Sequence, residues 1–434
     1  MRNETRGAAI LLAGFSLAAM GPRAAGAAGH ASGRREVRHV MPREDDPERA
    51  LSAMLPGYVV VKVADTKTAV PGGTGKFAKF GVPSVGGGII AFRADGDSGE
   101  QGVYELVGDQ LVTVVDENTS FPGPGGGNFT FDFDFLGTNE VAVDQDGSVA
   151  FVGRSPAHRG IYTNHGGSLS TVVDDTSEMP GHPGHTFEAF GTITQDAGRV
   201  AFTGGSTDFF EGIYLTGGPS IEVIADLNTP VPGSTDDARF EELFITQPSV
   251  SGGEVVFVGD SFFAGEGAFR WKEGVLTKIA DRHSVFPGSD PLRNFFSGVD
   301  VRDGQIVIAV SGGVYKPNGS GGFDVVASQQ TGIPGRLDKK FTTQFFSPAI
   351  DDGGKVMFEG DVIIDDLTED IVLKVGLYTD MAGRLKSIAT RGTRLDGGTV
   401  KFVESGPDAL SGGLFAFKVT FRGGGQGIYV ARPM

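Results

Sequence analysis

Three short marks recur seven times, in the same order, along this chain. Units of about fifty residues are too small to bury separate cores, so they must stack on one another. The first mark is a small or apolar pair, mostly ending in phenylalanine: Ala91-Phe92, Ala150-Phe151, Ala201-Phe202, Val256-Phe257, Ile308-Ala309, Met357-Phe358 and Ala416-Phe417. The second is a glycine followed two residues later by an aromatic: Gly102-Tyr104, Gly160-Tyr162, Gly212-Tyr214, Gly267-Phe269, Gly313-Tyr315, Gly376-Tyr378 and Gly427-Tyr429. The third is usually Pro-Gly: Pro71-Gly72, Pro122-Gly123, Pro180-Gly181, Pro232-Gly233, Pro287-Gly288, Pro334-Gly335 and the degenerate Asp396-Gly397. Between marks the third unit reads as four strands, FEAFGTITQ (187–195), RVAFTGG (199–205), GIYLTG (212–217) and SIEVIAD (220–226), with hairpin turns between the first and second and between the third and fourth. No long segment has helical periodicity. Repeated four-stranded units predict an all-β, seven-bladed β-propeller.

The order of the marks also predicts how the ring closes. Residues 57–70 read as a fourth strand with no blade before them, and the chain ends in GIYVARPM, a third strand with no successor. Joining the two completes the last blade and leaves no exposed sheet edge. One domain is therefore expected over 57–434, built of seven units of about 54 residues.

Ahead of it, Arg2 and Arg6 precede an apolar run from Gly7 to Met20 and an Ala25-Gly26-Ala27 cleavage pattern. Residues 1–27 are expected to be a signal peptide, and 28–56, mixed in charge and poor in apolar residues, a linker. A secreted or periplasmic protein without a membrane span after cleavage follows. With no cysteine there is no disulfide framework and no thiolate metal site. Thirty-seven basic against 54 acidic side chains, a net charge of −17, exclude a nucleic-acid partner that needs a basic stripe. The 69 glycines show no three-residue period, so they read as turns.

DQDGSVAF (144–151), with DAGRVAF (196–202), DDGGKVMF (351–358) and SGGLFAF (411–417), resembles the NxxGxxAF tandem repeat of exported bacterial proteins. The likeness spans residues 57–434, with Asp, Ser or Gly in place of most of the repeat's asparagines. It implies a repeat architecture and export, and supplies no catalytic residues. Several such proteins carry a C-terminal sorting anchor. The chain's end at Met434 without a hydrophobic segment argues against one here.

Residues repeated in every unit build the blade, so candidates for function are those that break the repeat. Strand parity sends the second-to-third loops and the links between blades to one face. On that face fall His158 and Arg159, His182 and His185 around Pro183-Gly184, and His283; His165 falls on the opposite face. His158, His182 or His185 as general base, with Arg159 neutralising a sugar carboxylate, would suit a polysaccharide lyase. The plainer reading is four solvated loop histidines, since no H-E-x-x-H spacing is present. Phe209-Phe210 and Phe262-Phe263 occupy equivalent loops beside Asp208 and Asp260. They suit stacking on a sugar or anchoring a partner if exposed, and plugging the loop if not. Asp95, Asp97 and Glu100 offer alternating oxygen ligands that would admit calcium, the one cofactor considered, although the calcium-loop pattern is incomplete.

The sequence thus favours an exported, non-catalytic propeller, expected to be a monomer, that binds a polysaccharide or an extracellular protein through one loop face. A secreted carbohydrate-active enzyme is the alternative.

Overall fold

The computed structural model describes residues 57–434 except 123–125, 132–140, 209, 219, 235–236, 244–246, 290–294, 343, 366–370 and 382. The expected signal peptide and linker lie outside the described residues.

Seven antiparallel sheets of four or more strands follow one another along the chain. Blade 1 comprises Phe77–Phe80 with Ser84–Gly86, then Ile89–Gly96, Gln101–Val107 and Gln110–Asp116. Blade 2 comprises Val141–Val143, Val149–Arg154, Arg159–Thr163 and Ser170–Asp174. Blades 3 to 6 repeat the pattern, their first strands being Ala189–Asp196, Ser249–Ser251, Phe296–Arg302 and Phe345–Ile350. In blade 7, Gly398–Glu404 and Leu410–Ser411 pair with Leu414–Phe421, which pairs with Gln426–Pro433. Its outer strand is Tyr58–Asp65, antiparallel to Gln426–Pro433 with Tyr58 opposite Pro433 and Asp65 opposite Gly427. The first strand of each blade touches that of the next, and Leu410–Ser411 of blade 7 touches Ser84–Gly86 of blade 1, so the ring is closed. The protein is a seven-bladed β-propeller, closed by its N-terminal strand as the order of the marks requires.

The marks have physical causes. The second-strand phenylalanines and third-strand tyrosines are almost wholly buried and meet a further phenylalanine that precedes the first strand or, in blade 1, opens it. Phe77 meets Tyr104, Phe129 meets Tyr162, Phe187 meets Tyr214, Phe240 meets Phe269 and Phe341 meets Tyr378, all edge to face at 4.8–5.1 Å. That geometry suits the ring quadrupoles. Beside each third-strand aromatic the glycine is obligatory: a Cβ on Gly212 would sit 2.8 Å from Ala225 O and 2.9 Å from the Tyr214 hydroxyl.

A fourth repeated device follows the last strand of each blade. Asp65 and Thr68 close a tight turn in which the Asp65 N–H donates to Thr68 Oγ1 and the Thr68 hydroxyl to Asp65 Oδ1. Asp116–Thr119, Asp174–Ser177, Asp226–Thr229 and Asp281–Ser284 repeat it, and Ser328–Thr331 and Thr390–Thr393 keep its backbone-to-hydroxyl bond. These side chains satisfy backbone groups that the ended strand leaves open. The Pro-Gly marks then turn small hairpins, as between Gly332–Ile333 and Arg336–Lys340, that lead into the next blade.

Candidate functional site

Blades are also laced together on both faces, and this accounts for many polar residues. On the face of the second-to-third loops, the residue just before the glycine mark clamps the approach to the next blade. Gln101 Oε1 accepts from Phe131 N–H, Glu211 Oε1 from Leu243 N–H, Glu266 Oε2 from Phe296 N–H and Gln426 Oε1 from Phe80 N–H, at 2.6–3.2 Å. On the opposite face, Asp144 takes the N–H groups of Ala197 and Gly198, Asp196 that of Gly252, and Asp300 that of Ile350.

The candidate histidines lie on the expected face, but the rings of His158, His182 and His185 each face a carboxylate of their own. His158 Nδ1 is 2.9 Å from Asp175 Oδ1, its ring stacked on Phe121 at 6.1 Å, while the Arg159 N–H donates to Asp175 Oδ2. His182 is buried, its Nε2 3.6 Å from Asp226 Oδ2, and His185 Nδ1 is 3.1 Å from Asp208 Oδ2. Phe210 lies against both of these histidines, 4.1 Å from the His182 ring and 4.7 Å from that of His185. Phe210 is therefore a loop plug, and Phe209 lies outside the described residues. His182 and His185 form one cluster; no contact joins them to His158 and Arg159 among the described residues. His283 occupies an inner position of the blade 4 Asp–Ser turn, its N–H donating to Asp281 Oδ1, and is thus a repeated building position. His165 lies on the other face, in a short 3-10 turn against Asp146.

The expected calcium residues are engaged otherwise. Glu100 accepts the N–H groups of Thr74, Gly75 and Ser98, which hold its carboxyl below the usual range against the opposing pull of burial. Asp97 Oδ1 accepts the Lys76 N–H. Those lone pairs fix the hairpin ahead of blade 1, so the trio does not open as a cation cage. Among the described residues the ligand atoms that converge are those of Asp144, Asp146 and His165, and Asp144 already accepts from three backbone N–H groups and from Gln195 Nε2.

Phe262 and Phe263 answer differently from Phe210: they are 78 % and 65 % exposed, edge to face at 5.3 Å. The same loop, through Asp260 and Glu266, lines a cavity of about 210 Å³ between blades 4 and 5, with Glu242, Val258, Phe296 and Ser297 among its other walls. Burial, with help from Asp260, raises the Glu266 pKa. Sequence reasoning saw the two phenylalanines and the acid beside them, but not the cavity. It also missed a second cluster, on the axis, where Arg302 lies between Asp196 and Asp408. Its only sequence signal is that arginine stands where Asp196 and Ser251 stand in blades 3 and 4, at the end of the first strand.

The class defined by this architecture is the β-propeller. The chain belongs to the family of unknown function DUF7453, whose model matches residues 56–309. No curated protein matches it. Solved structures similar to it include a Mycobacterium tuberculosis puromycin-hydrolyzing peptidase (11% identity, 85% of this chain and 62% of that one, TM-score 0.37). Others are the WD40 domain of SCAP from fission yeast (9%, 87% and 98%, 0.38) and Trypanosoma rangeli sialidase (8%, 87% and 60%, 0.39). The chain thus spans less than two thirds of the peptidase and of the sialidase. Among the described residues no helix is long and apolar enough to cross a membrane.

Proposed function

We propose that this protein is an exported, non-catalytic binding propeller that presents the face of its second-to-third loops to an extracellular macromolecule. The observation that carries the reading is the exposure of Phe262 and Phe263 together on a loop whose blade 3 counterpart folds its phenylalanine inward. Large apolar side chains held in water on a rigid scaffold are characteristic of recognition surfaces. A lyase would need a histidine and an arginine converging on one sugar, whereas His158, His182 and His185 are each paired with a separate aspartate. Export rests on the N-terminal charge and apolar pattern of residues 1–27.

The test is a screen of residues 28–434 against a polysaccharide panel and immobilised envelope proteins, reading both retention and new unsaturated sugar ends. Retention lost in Phe262→Ala/Phe263→Ala, with no new ends, is expected. Turnover that falls about 100-fold in His182→Ala/His185→Ala would replace this reading with the lyase.

A further inference from the structure

The loop of the exposed phenylalanines also carries carboxylates that form no ion pair among the described residues. Asp260, two residues before Phe262, lines the cavity with Glu242 and Glu266. Among the described residues none of the three is ion-paired. Asp260 takes its neighbour Ser261 N–H, Glu266 takes Phe296 N–H, and the Glu242 side chain has no partner. Arg282, which follows the last strand of blade 4, donates to the Phe263 carbonyl and to His283 Nε2 and forms no ion pair with any of the three. Phe295, which precedes the wall residue Phe296, is also largely exposed. A small acidic socket on the same loop as two exposed phenylalanines is complementary to a positive charge carried on an apolar surface.

Two classes of partner carry such a charge, an aminated glycan and a protein. Stacking successive sugars needs ring faces that lie flat along the chain, but Phe262 and Phe263 stand at 84° to one another. Crossed rings make a notch suited to a side chain, and the cavity has room for one long side chain.

We infer that this face docks a protein segment that places a lysine or arginine between Glu242, Asp260 and Glu266 and packs apolar neighbours on Phe262 and Phe263. The inference rests on the binding reading above and names its partner. The docked cation would supply the missing counter-charge, and the aromatic pair would exclude water around it.

The test uses the whole mature chain and defined probes. Fluorescence anisotropy is read with labelled twelve-residue peptides carrying Leu-Lys-Leu or Leu-Glu-Leu at the centre of a Gly/Ser frame, and with a chitosan hexamer. The lysine peptide is expected to bind at least about tenfold more tightly than the glutamate peptide, with the preference shrinking as salt rises. Glu242→Gln/Asp260→Asn/Glu266→Gln should remove the preference, and Phe262→Ala/Phe263→Ala should weaken both peptides. The glutamine at 266 keeps the acceptor for Phe296 N–H, and a melting curve like that of the parent excludes misfolding as the cause. Equal binding of the two peptides, abolished in the phenylalanine variant, would overturn the cation inference and leave the binding face standing. Binding of the chitosan hexamer at that face in place of the peptides would do the same. No binding of any probe would overturn both.

Discussion

Arg302 meets Asp408 across the axis of the ring, Nη2 to Oδ1 at 3.8 Å, although one belongs to blade 5 and the other to blade 7. Arg302 Nη1 lies 3.9 Å from Asp196 of blade 3, so one side chain ties three non-adjacent blades. Asp408 is buried, with its second carboxylate oxygen unpartnered among the described residues. Removing the arginine would strand buried negative charge.

Arg302→Met is therefore expected to destabilise the propeller by about 3 kcal/mol or more, measured by urea unfolding. Adding Asp196→Asn and Asp408→Asn should restore much of the loss, because a neutral axis carries no unpaired ion. A single variant as stable as the parent would show that the arginine is ornamental.

Stability should also depend on pH in a defined direction. Burial pushes Asp300 up to about 6 and Asp408 and Glu359 up to about 7. Between about pH 4, where such groups titrate when unfolded, and pH 7, the folded state binds more protons than the unfolded one. Their contribution is full below that window and is lost as pH rises through 6 and 7. Glu100, Asp146 and Asp281 are shifted down, so they act oppositely and only below the ordinary carboxylate range. The melting temperature should be higher at pH 5.5 than at pH 8, and Asp408→Asn should shrink the difference. A flat profile across that range would contradict the assigned burial.

Closure gives a third test. Deleting residues 57–66 removes the strand paired with Gln426–Pro433 and uncovers Ile428 and Val430, which are now buried. Broad, non-cooperative unfolding or aggregation is expected, whereas deleting residues 28–50 should leave the melting curve unchanged. Equal melting of both truncations would mean that Tyr58–Asp65 does not close the ring.

The seven-fold count and the closing strand were legible because the marks sit where packing leaves no choice. At Gly212 the outer carbonyl and the tyrosine forbid a side chain, so the sequence repeats glycine there. The third aromatic of each core, Phe187 and its equivalents, escaped notice because it precedes its blade at a varying distance. The Asp–x–x–Thr/Ser turns passed as ordinary polar residues. His182 looked like a loop base, but Phe210 and Asp226 bury it. The axial cluster left only one trace, an arginine at the end of a first strand, and its partners could not be read, since only ring closure brings Arg302 to Asp196 and Asp408.

The two histidines of the blade 2 link should separate structural from chemical roles. His182 is buried beneath Phe210, so His182→Ala leaves a void, while Asp226 keeps its bonds to Asn228 and Thr229. A loss of about 1–3 kcal/mol is expected by chemical denaturation. His185 is half-exposed and pairs with a largely exposed aspartate, Asp208. An exposed pair of this kind is worth little, so His185→Ala should change stability by no more than about 0.5 kcal/mol. Because Phe262 and Phe263 lie in the loop of blade 4, beyond the blade 3 loop on which the histidines pack, neither histidine variant should weaken a ligand held there by more than a small factor. If His185→Ala abolished binding while leaving stability intact, the recognition surface would have to be moved from blades 4 and 5 to the His182–His185 cluster.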